Sequence, residues 1–201
     1  MTPAVRRVAT IVVVGLATGV VTQLGQSVLP DGWSQIANAI SPWLFVAFLL
    51  GSTMPDDRWA AGAGAATLLL ALVGYYAMTE LRYGIGGGTG SLIVWGTGAI
   101  VGGPVFGFAG HRWRGPSHRE RAAAIGLVSA VAIAEGAYFT LVLERPSVGL
   151  GFVLAGLVAP LILGRDRRDR LGAYVAIVPA LALGAVGYLV LIWFSDIVAG
   201  V

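Results

Sequence analysis

The spacing of the charged residues constrains this fold more than any other feature of the sequence. They occur in short runs separated by apolar stretches of about 17 to 25 residues, the length of helix that crosses the hydrocarbon core of a bilayer. Hydrophobic residues make up 57% of the 201 residues and charged residues only 11%, whereas about a quarter of a soluble domain is charged. This composition excludes a soluble globular enzyme, a disordered chain and a nucleic-acid-binding domain. It predicts an all-α, polytopic membrane helix bundle.

The apolar stretches predict seven transmembrane helices in a single transmembrane domain over residues 1–201. Seven helices of about 20 residues use ~140 residues, which leaves short loops and no soluble domain. The first apolar run is long and lacks an Ala-x-Ala-like cleavage site, so we interpret it as a membrane helix rather than a signal peptide. The predicted spans are residues 5–29, 35–53, 59–81, 91–110, 121–143, 147–163 and 171–197.

The basic residues are divided very unevenly between the two sets of loops. All thirteen are arginine, and eleven fall on one side of the alternating spans. Because loops rich in basic residues stay in the cytoplasm, we predict a plasma-membrane protein with a cytoplasmic N-terminus and an outside C-terminus. We also expect the arginine-rich loops to contact anionic lipid headgroups. The eleven residues are Arg6, Arg7, Arg58, Arg112, Arg114, Arg119, Arg121, Arg165, Arg167, Arg168 and Arg170.

Polar side chains concentrate in the outer halves of the spans, whereas the inner halves are mostly small and aliphatic. Polar groups in hydrocarbon are costly unless they are satisfied or functional, so the pattern predicts a substrate cavity near the outer leaflet. The alternative is a belt of tyrosine and tryptophan at the level of the headgroups. The predicted substrate-binding residues are Gln23, Gln26, Asn38, Tyr75, Tyr76, Trp95 and Tyr138.

Glu135 lies well inside the fifth predicted span, where an isolated ionised carboxylate would be costly. We therefore expect it to be protonated or paired, and its candidate roles are proton donor, proton relay or counter-ion for a cation. The alternative is structural, with a protonated Glu135 bonded to a neighbouring helix. Glu80 and Asp196 complete the predicted catalytic set, although either can instead be an interfacial anchor. The hypothesis requires these three carboxylates to converge.

Pro42 lies inside the second predicted span and removes the backbone hydrogen bond to the carbonyl of Asn38. We expect a kink there, with Asn38 beside a broken turn as a ligand contact. The chain has no cysteine, and His111 and His118 lack the spacing of metal ligands. The sequence therefore predicts neither a metal site nor a cofactor.

Three stretches carry a resemblance to a known family. They are residues 24–43 (LGQSVLPDGWSQIANAISPW), Tyr75-Tyr76 with Leu81-Arg82-Tyr83-Gly84, and residues 95–107 (WGTGAIVGGPVFG). Over nearly the whole chain, the sequence resembles a family of small actinobacterial membrane proteins of unknown function, which implies no activity.

The chain is also similar, in size, span number and intramembrane carboxylates, to small membrane-bound terpene cyclases. These include the bacterial indole-sesquiterpene (drimentine-type) cyclases and the fungal meroterpenoid cyclases. The similarity implies proton-initiated cyclisation of a prenyl chain, but it assigns a role to no residue. The Asp-x-Asp-Asp acid motif of soluble class II cyclases is absent from the sequence.

Three functions fit these observations, and the sequence favours the first. It is an intramembrane cyclase or isomerase that protonates a prenylated, lipid-soluble substrate and stabilises the carbocation on aromatic faces, without metal or cofactor. The second is a small-molecule transporter or substrate-binding membrane subunit with an outer polar site, in which Glu135 is a counter-ion or proton coupler. The third is a structural protein whose glycine-rich faces pack on another chain. No nucleic-acid partner is expected.

Overall fold

The computed structural model describes residues 2–30, 33–37, 39–85 and 88–199, apart from the side chains of residues 188, 191, 192 and 194–199. These ranges contain helices and no strand. Seven segments are long and apolar enough to cross a membrane, which confirms the predicted fold class and number of spans. The helices are α1 (Pro3–Val28), α2 (Trp33–Ala37), α3 (Ile40–Gly51), α4 (Asp57–Tyr83), α5 (Thr89–Arg114), α6 (His118–Leu141), α7 (Pro146–Leu163) and α8 (Arg167–Ala199).

The helix termini that carry most of the arginines meet at one end of the bundle. His111 Nδ1, near the end of α5, lies 3.0 Å from the carbonyl oxygen of Met54, in the α3–α4 loop. Trp113 Nε1 donates to the carbonyl oxygen of Leu163, at the end of α7, over 3.0 Å. These contacts join three loops at what we call the arginine-rich end. Its cytoplasmic location, and the plasma membrane as the host membrane, stay predictions.

Glycine allows the closest contacts between the helices. A Cβ at Gly19 would overlap the carbonyl oxygen of Ala71, and a Cβ at Gly64 would overlap that of Gly103. Pairs α1–α4 and α4–α5 therefore approach backbone to backbone, as small residues permit in membrane bundles. Helix α3 lies inside this arrangement, in contact with α4, α5 and α6, and its Phe48 is fully buried.

The second predicted span is broken rather than kinked. Helix α2 ends at Ala37, and α3 begins at Ile40 with Ala39 as its N-cap. Asn38, the predicted ligand contact, lies outside the described residues. Pro42 falls in the first turn of α3, where a missing N–H costs little because that group would have no partner within the helix. The proline therefore marks the start of a new helix.

Candidate functional site

The carboxylate of Glu135, on α6, lies at the N-terminus of α3. Ile40 N donates to its Oε1 over 2.5 Å, and Ser41 N donates to its Oε2 over 2.7 Å. The hydroxyl of Ser41 donates a further short hydrogen bond to Oε2. A residue more than 90 positions away in the sequence thus caps this helix.

The backbone N–H groups at the start of α3 all have acceptors, from Ala39 to Ser41. The first turn of a helix normally leaves its N–H groups without acceptors inside the helix. Ala39 N donates to the carbonyl oxygen of Ile36 over 3.2 Å, Ile40 and Ser41 donate to the capping carboxylate, and Pro42 has no N–H. The described N–H groups at the start of α3 therefore all have acceptors, and two of them depend on one side chain.

In a bilayer with one boundary at the arginine-rich end, this break would lie at membrane depth. The 12 residues of α3 rise ~18 Å at 1.5 Å per residue, so Ile40 stands past the midpoint of a hydrocarbon core about 30 Å thick, counted from the arginine-rich end. Non-helical backbone is tolerated at such depth only where protein groups or an internal cavity satisfy it. Glu135 supplies those groups. Glu135 is thus hydrogen-bonded to a neighbouring helix, and whether it is protonated or paired stays a prediction.

A second group of polar side chains joins α1 to α3 and α4 near the other end of the bundle. Trp43 Nε1 donates to Thr22 Oγ1 over 2.9 Å, and the hydroxyl of Tyr83 donates to Ser27 Oγ over 3.0 Å. Gln23 is only 4% exposed, and its Oε1 has no hydrogen-bond partner among the described residues. We call this group the glutamine–tyrosine cluster; its members are Thr22, Gln23, Gln26, Ser27, Trp43, Tyr75, Tyr76 and Tyr83.

Tyr75 is the aromatic centre of the glutamine–tyrosine cluster. Its ring centroid lies 6.2 Å from that of Trp43 and 5.3 Å from that of Tyr76, both in edge-on geometry. Gln26 lies within hydrogen-bonding reach of its hydroxyl. Aromatic rings beside a few polar groups are typical of a small-molecule site, and a buried amide oxygen without a partner provides an acceptor for a ligand.

The two groups of polar side chains lie on different faces of α3. Ser41, which binds Glu135, and Trp43, which binds Thr22, are two residues apart and so project about 200° apart around the helix. Glu135 therefore approaches α3 from the side opposite the glutamine–tyrosine cluster. The first turn of α3 connects the two groups.

The structure brings together part of the predicted site. Three predicted residues have exposed side chains outside the glutamine–tyrosine cluster, and they are Glu80, Trp95 and Tyr138. Asn38 and the side chain of Asp196 lie outside the described part of the chain, so the convergence of Glu80, Glu135 and Asp196 stays a prediction. The predicted substrate-binding residues that meet in the cluster are Gln23, Gln26, Tyr75 and Tyr76.

The sequence reasoning did not assign Ser41, Thr22 or Trp43 to the site. For Ser41 a signal exists, because serine followed by proline is typical of the start of a helix. A helix that starts at membrane depth needs an acceptor from another span. For Thr22 and Trp43 the pairing is tertiary, and no local pattern indicates it.

The arginine-rich end contains a buried ion pair between α6 and α8. Asp169 is fully buried and Arg121 is 5% exposed. Arg121 Nε donates to Asp169 Oδ2 over 2.9 Å, and its Nη1 donates to the carbonyl oxygens of Gly115 and Pro116. The guanidinium thus fastens the α5–α6 loop to the start of α8.

Three side chains at this end have the spacing of metal ligands, which the sequence did not predict. His118, Asp166 and Asp169 offer ligand atoms within 4.8 Å of one another. However, Arg121 Nη2 lies 2.7 Å from His118 Nδ1, so a guanidinium already stands beside the position that a cation would take and would repel it. We interpret the group as part of the ion-pair network.

The fold and these sites define a class of protein: a polytopic helical bundle with seven segments of membrane-spanning length. The chain belongs to DUF6518, a family of unknown function, which it matches over residues 1–193. This confirms the predicted membership of a family of unknown function. No curated protein and no solved structure matches the chain. The actinobacterial origin and the similarity to terpene cyclases stay predictions.

Proposed function

We propose that this protein is a small-molecule transporter or substrate-binding membrane protein, with the glutamine–tyrosine cluster as its binding site. The observation that carries the proposal is the discontinuous second span, in which α3 begins at membrane depth on the carboxylate of Glu135. In secondary transporters, binding sites form near discontinuous helices, whose N-termini point at anionic groups of the substrate; here the carboxylate of Glu135 takes that place at α3, and the cluster lies on the other face of the same helix turn. An ionisable residue inside a membrane is most often functional.

The glutamine–tyrosine cluster favours a ligand that donates hydrogen bonds. Gln23 Oε1 is buried without a partner in the described part of the chain, a state that costs about 1–3 kcal/mol and that a ligand donor would relieve. The rings of Trp43, Tyr75 and Tyr76 provide flat apolar contacts and attract positive charge. A small amine, amide or guanidine combines both properties.

Helix α3 offers a way for such a ligand to change the conformation of the protein. Trp43 belongs to the glutamine–tyrosine cluster, and Ser41, half a turn away, binds Glu135. A ligand that displaces Trp43 therefore shifts the first turn of α3 against its cap. In this proposal, Glu135 holds α3 in one position and releases it in another.

Cyclisation of a prenylated substrate fits the observed contacts less well. That reaction needs Glu135 to donate a proton, whereas both of its carboxyl oxygens accept hydrogen bonds from backbone N–H groups of α3. The cyclase activity expected from the sequence stays a prediction, and it would require α3 to release Glu135 first.

A ligand screen on the purified protein tests the proposal. Small amines, amides and guanidines are added, and thermal unfolding is followed, because a ligand that binds the native state raises Tm. We expect a compound that stabilises the wild type to lose its effect in Gln23→Leu and Tyr75→Ala. The same compound should stabilise Trp95→Phe, a matched control at an exposed aromatic residue outside the cluster.

The screen also has outcomes that contradict the proposal. If a compound stabilises Gln23→Leu as much as the wild type, the glutamine–tyrosine cluster is not its binding site. Turnover of a farnesylated substrate in membranes, abolished in a folded Glu135→Gln variant, would favour the cyclase instead. A confirmed ligand should then accumulate in proteoliposomes if the protein transports it, whereas binding without uptake identifies a binding subunit.

A further inference from the structure

A groove runs between α1 and α4 at the arginine-rich end. The two helices touch closely further along, where a Cβ at Gly74 would overlap the carbonyl oxygen of Leu16. Towards the arginine-rich end Ile11 lies in one buried cluster with Ala60 and Ala63, while a Cβ at Gly62, beside this cluster, would meet no atom within 4 Å. The cavity at this position has a volume of about 400 Å³, with buried Ile11 and Ala63 among its lining residues.

One arginine stands at the mouth of this groove, and a second lies one helix turn from a lining residue. Arg58 lines the cavity and is four residues before Gly62. Arg7 is four residues before Ile11, so each arginine shares a helix face with a residue of the groove. Among the described residues, neither has an ion-pair partner, whereas Arg112 pairs with acidic groups in the same end of the bundle.

The acidic residues beside Arg58 are engaged in other contacts. Asp56 caps α4 and accepts a hydrogen bond from Trp59 N over 2.9 Å. Asp57 forms a short ion pair with Arg112. Arg7 and Arg58 are therefore available to a negatively charged group that is not part of this chain.

The length of the groove matches one leaflet. From Arg58 to Leu70, α4 rises ~18 Å over 12 residues, and half of a hydrocarbon core is ~15 Å thick. Trp59, also at the mouth and 39% exposed, is a residue type that favours the interface between water and lipid. An apolar channel one leaflet long, with free positive charge at its mouth, complements an acyl chain attached to an anionic headgroup.

We propose that the groove between α1 and α4 binds one acyl chain of an anionic phospholipid, whose phosphate lies at Arg7 and Arg58. The sequence predicts contact between the arginine-rich loops and anionic headgroups in general. The proposal adds to this expectation a single, saturable lipid-binding site at a defined position, the groove between α1 and α4. This proposal does not depend on the function proposed for the glutamine–tyrosine cluster.

Native mass spectrometry of protein released from nanodiscs tests the site. The nanodiscs contain equal amounts of phosphatidylglycerol and phosphatidylcholine. We expect the wild type to retain one phosphatidylglycerol, and Gly62→Leu to lose it because the leucine side chain fills the groove. Gly98→Leu is the matched control, since a Cβ there also meets no atom within 4 Å but lies on α5, away from the groove. Equal retention by Gly62→Leu and Gly98→Leu would overturn the proposal.

The headgroup contact has its own variants, which keep the test decisive if Gly62→Leu does not fold. Arg58→Gln and Arg7→Gln should each lower the preference for phosphatidylglycerol about five-fold, the effect expected for one arginine near an anionic surface. Arg145→Gln, in the α6–α7 loop, is the control and should leave the preference unchanged. A wild type without preference for phosphatidylglycerol, or an Arg58→Gln variant with the wild-type preference, would contradict the proposed site.

Discussion

Helix α6 carries a polar contact towards each of its ends; the one at the arginine-rich end is buried, the other is half-buried, and the two differ in kind. At the arginine-rich end, its Arg121 binds Asp169 of α8, a carboxylate that is fully buried and also lies 2.9 Å from His118 Nδ1. Further along α6, the carboxylate of Glu135 binds two backbone N–H groups and the hydroxyl of Ser41. The first carboxylate faces cationic or titratable groups, and the second faces neutral dipoles.

This difference determines what each contact can do. Separation of Asp169 from Arg121 would leave two buried opposite charges uncompensated, which is strongly unfavourable. Release of Glu135 leaves one carboxyl group and two N–H groups without these partners, and a ligand or a shift of α3 can compensate for them. We therefore interpret the arginine-rich end as a fixed attachment, and in the proposed function the start of α3 is where the bundle changes its conformation.

The largest effect should come from Asp169→Ala. It leaves the guanidinium of Arg121 buried without its carboxylate, so we expect a loss of about 3–5 kcal/mol in the free energy of unfolding. Thermal and denaturant unfolding in detergent measures the change. The double variant Asp169→Leu/Arg121→Met should recover much of the loss, because no charge then remains unpaired. If Asp169→Ala loses less than ~1 kcal/mol in the free energy of unfolding, the ion pair with Arg121 is not a fixed attachment.

Glu135→Ala should have the next largest effect. Two backbone N–H groups at membrane depth lose their acceptor, at about 1–3 kcal/mol each, so we expect a total of ~2–4 kcal/mol after relaxation. The same unfolding measurement applies. Glu80→Ala is the control, since it removes an exposed carboxylate from α4 and should change stability little. Similar losses of stability in Glu135→Ala and Glu80→Ala would contradict the capping role of Glu135.

Trp43→Phe should have a small effect on stability and a larger one on binding. Phenylalanine keeps an aromatic ring near Tyr75 but loses the hydrogen bond to Thr22, which is worth about 0.5–1.5 kcal/mol. Any ligand found in the screen should bind at least several-fold more weakly, because the first turn of α3 is less firmly positioned. Isothermal titration calorimetry checks this expectation. If Trp43→Phe binds the ligand with the affinity of the wild type, Trp43 does not contribute to the binding site.

The sequence predicted the number of helices better than the contacts between them. The number of spans depends on the length and hydropathy of each segment, which are local properties, and it was confirmed. The break near Pro42 was expected only as a kink, because its cap is a side chain more than 90 residues away. Local patterns show where a helix can start but do not identify the group that caps it.

The sequence predicted which residue types belong to the candidate site, and their role in binding stays a prediction. The concentration of polar side chains in particular spans predicted a site that includes Gln23, Gln26, Tyr75 and Tyr76, and the structure places these side chains near one another. Periodicity within one helix does not determine which faces of different helices meet. The separation of Glu135 from this group follows from the position of α3 between them, which depends on the packing of glycine faces.

Amide hydrogen exchange at the start of α3 tests most directly whether Glu135 holds this helix. The protein is placed in nanodiscs, and exchange is followed at Ile40 and Ser41 in the wild type, Glu135→Ala and Glu80→Ala. We predict that both amides exchange at least tenfold faster in Glu135→Ala and at the wild-type rate in Glu80→Ala, since ~1.4 kcal/mol of lost protection corresponds to a factor of ten. Equal exchange at Ile40 and Ser41 in all three proteins would contradict the account.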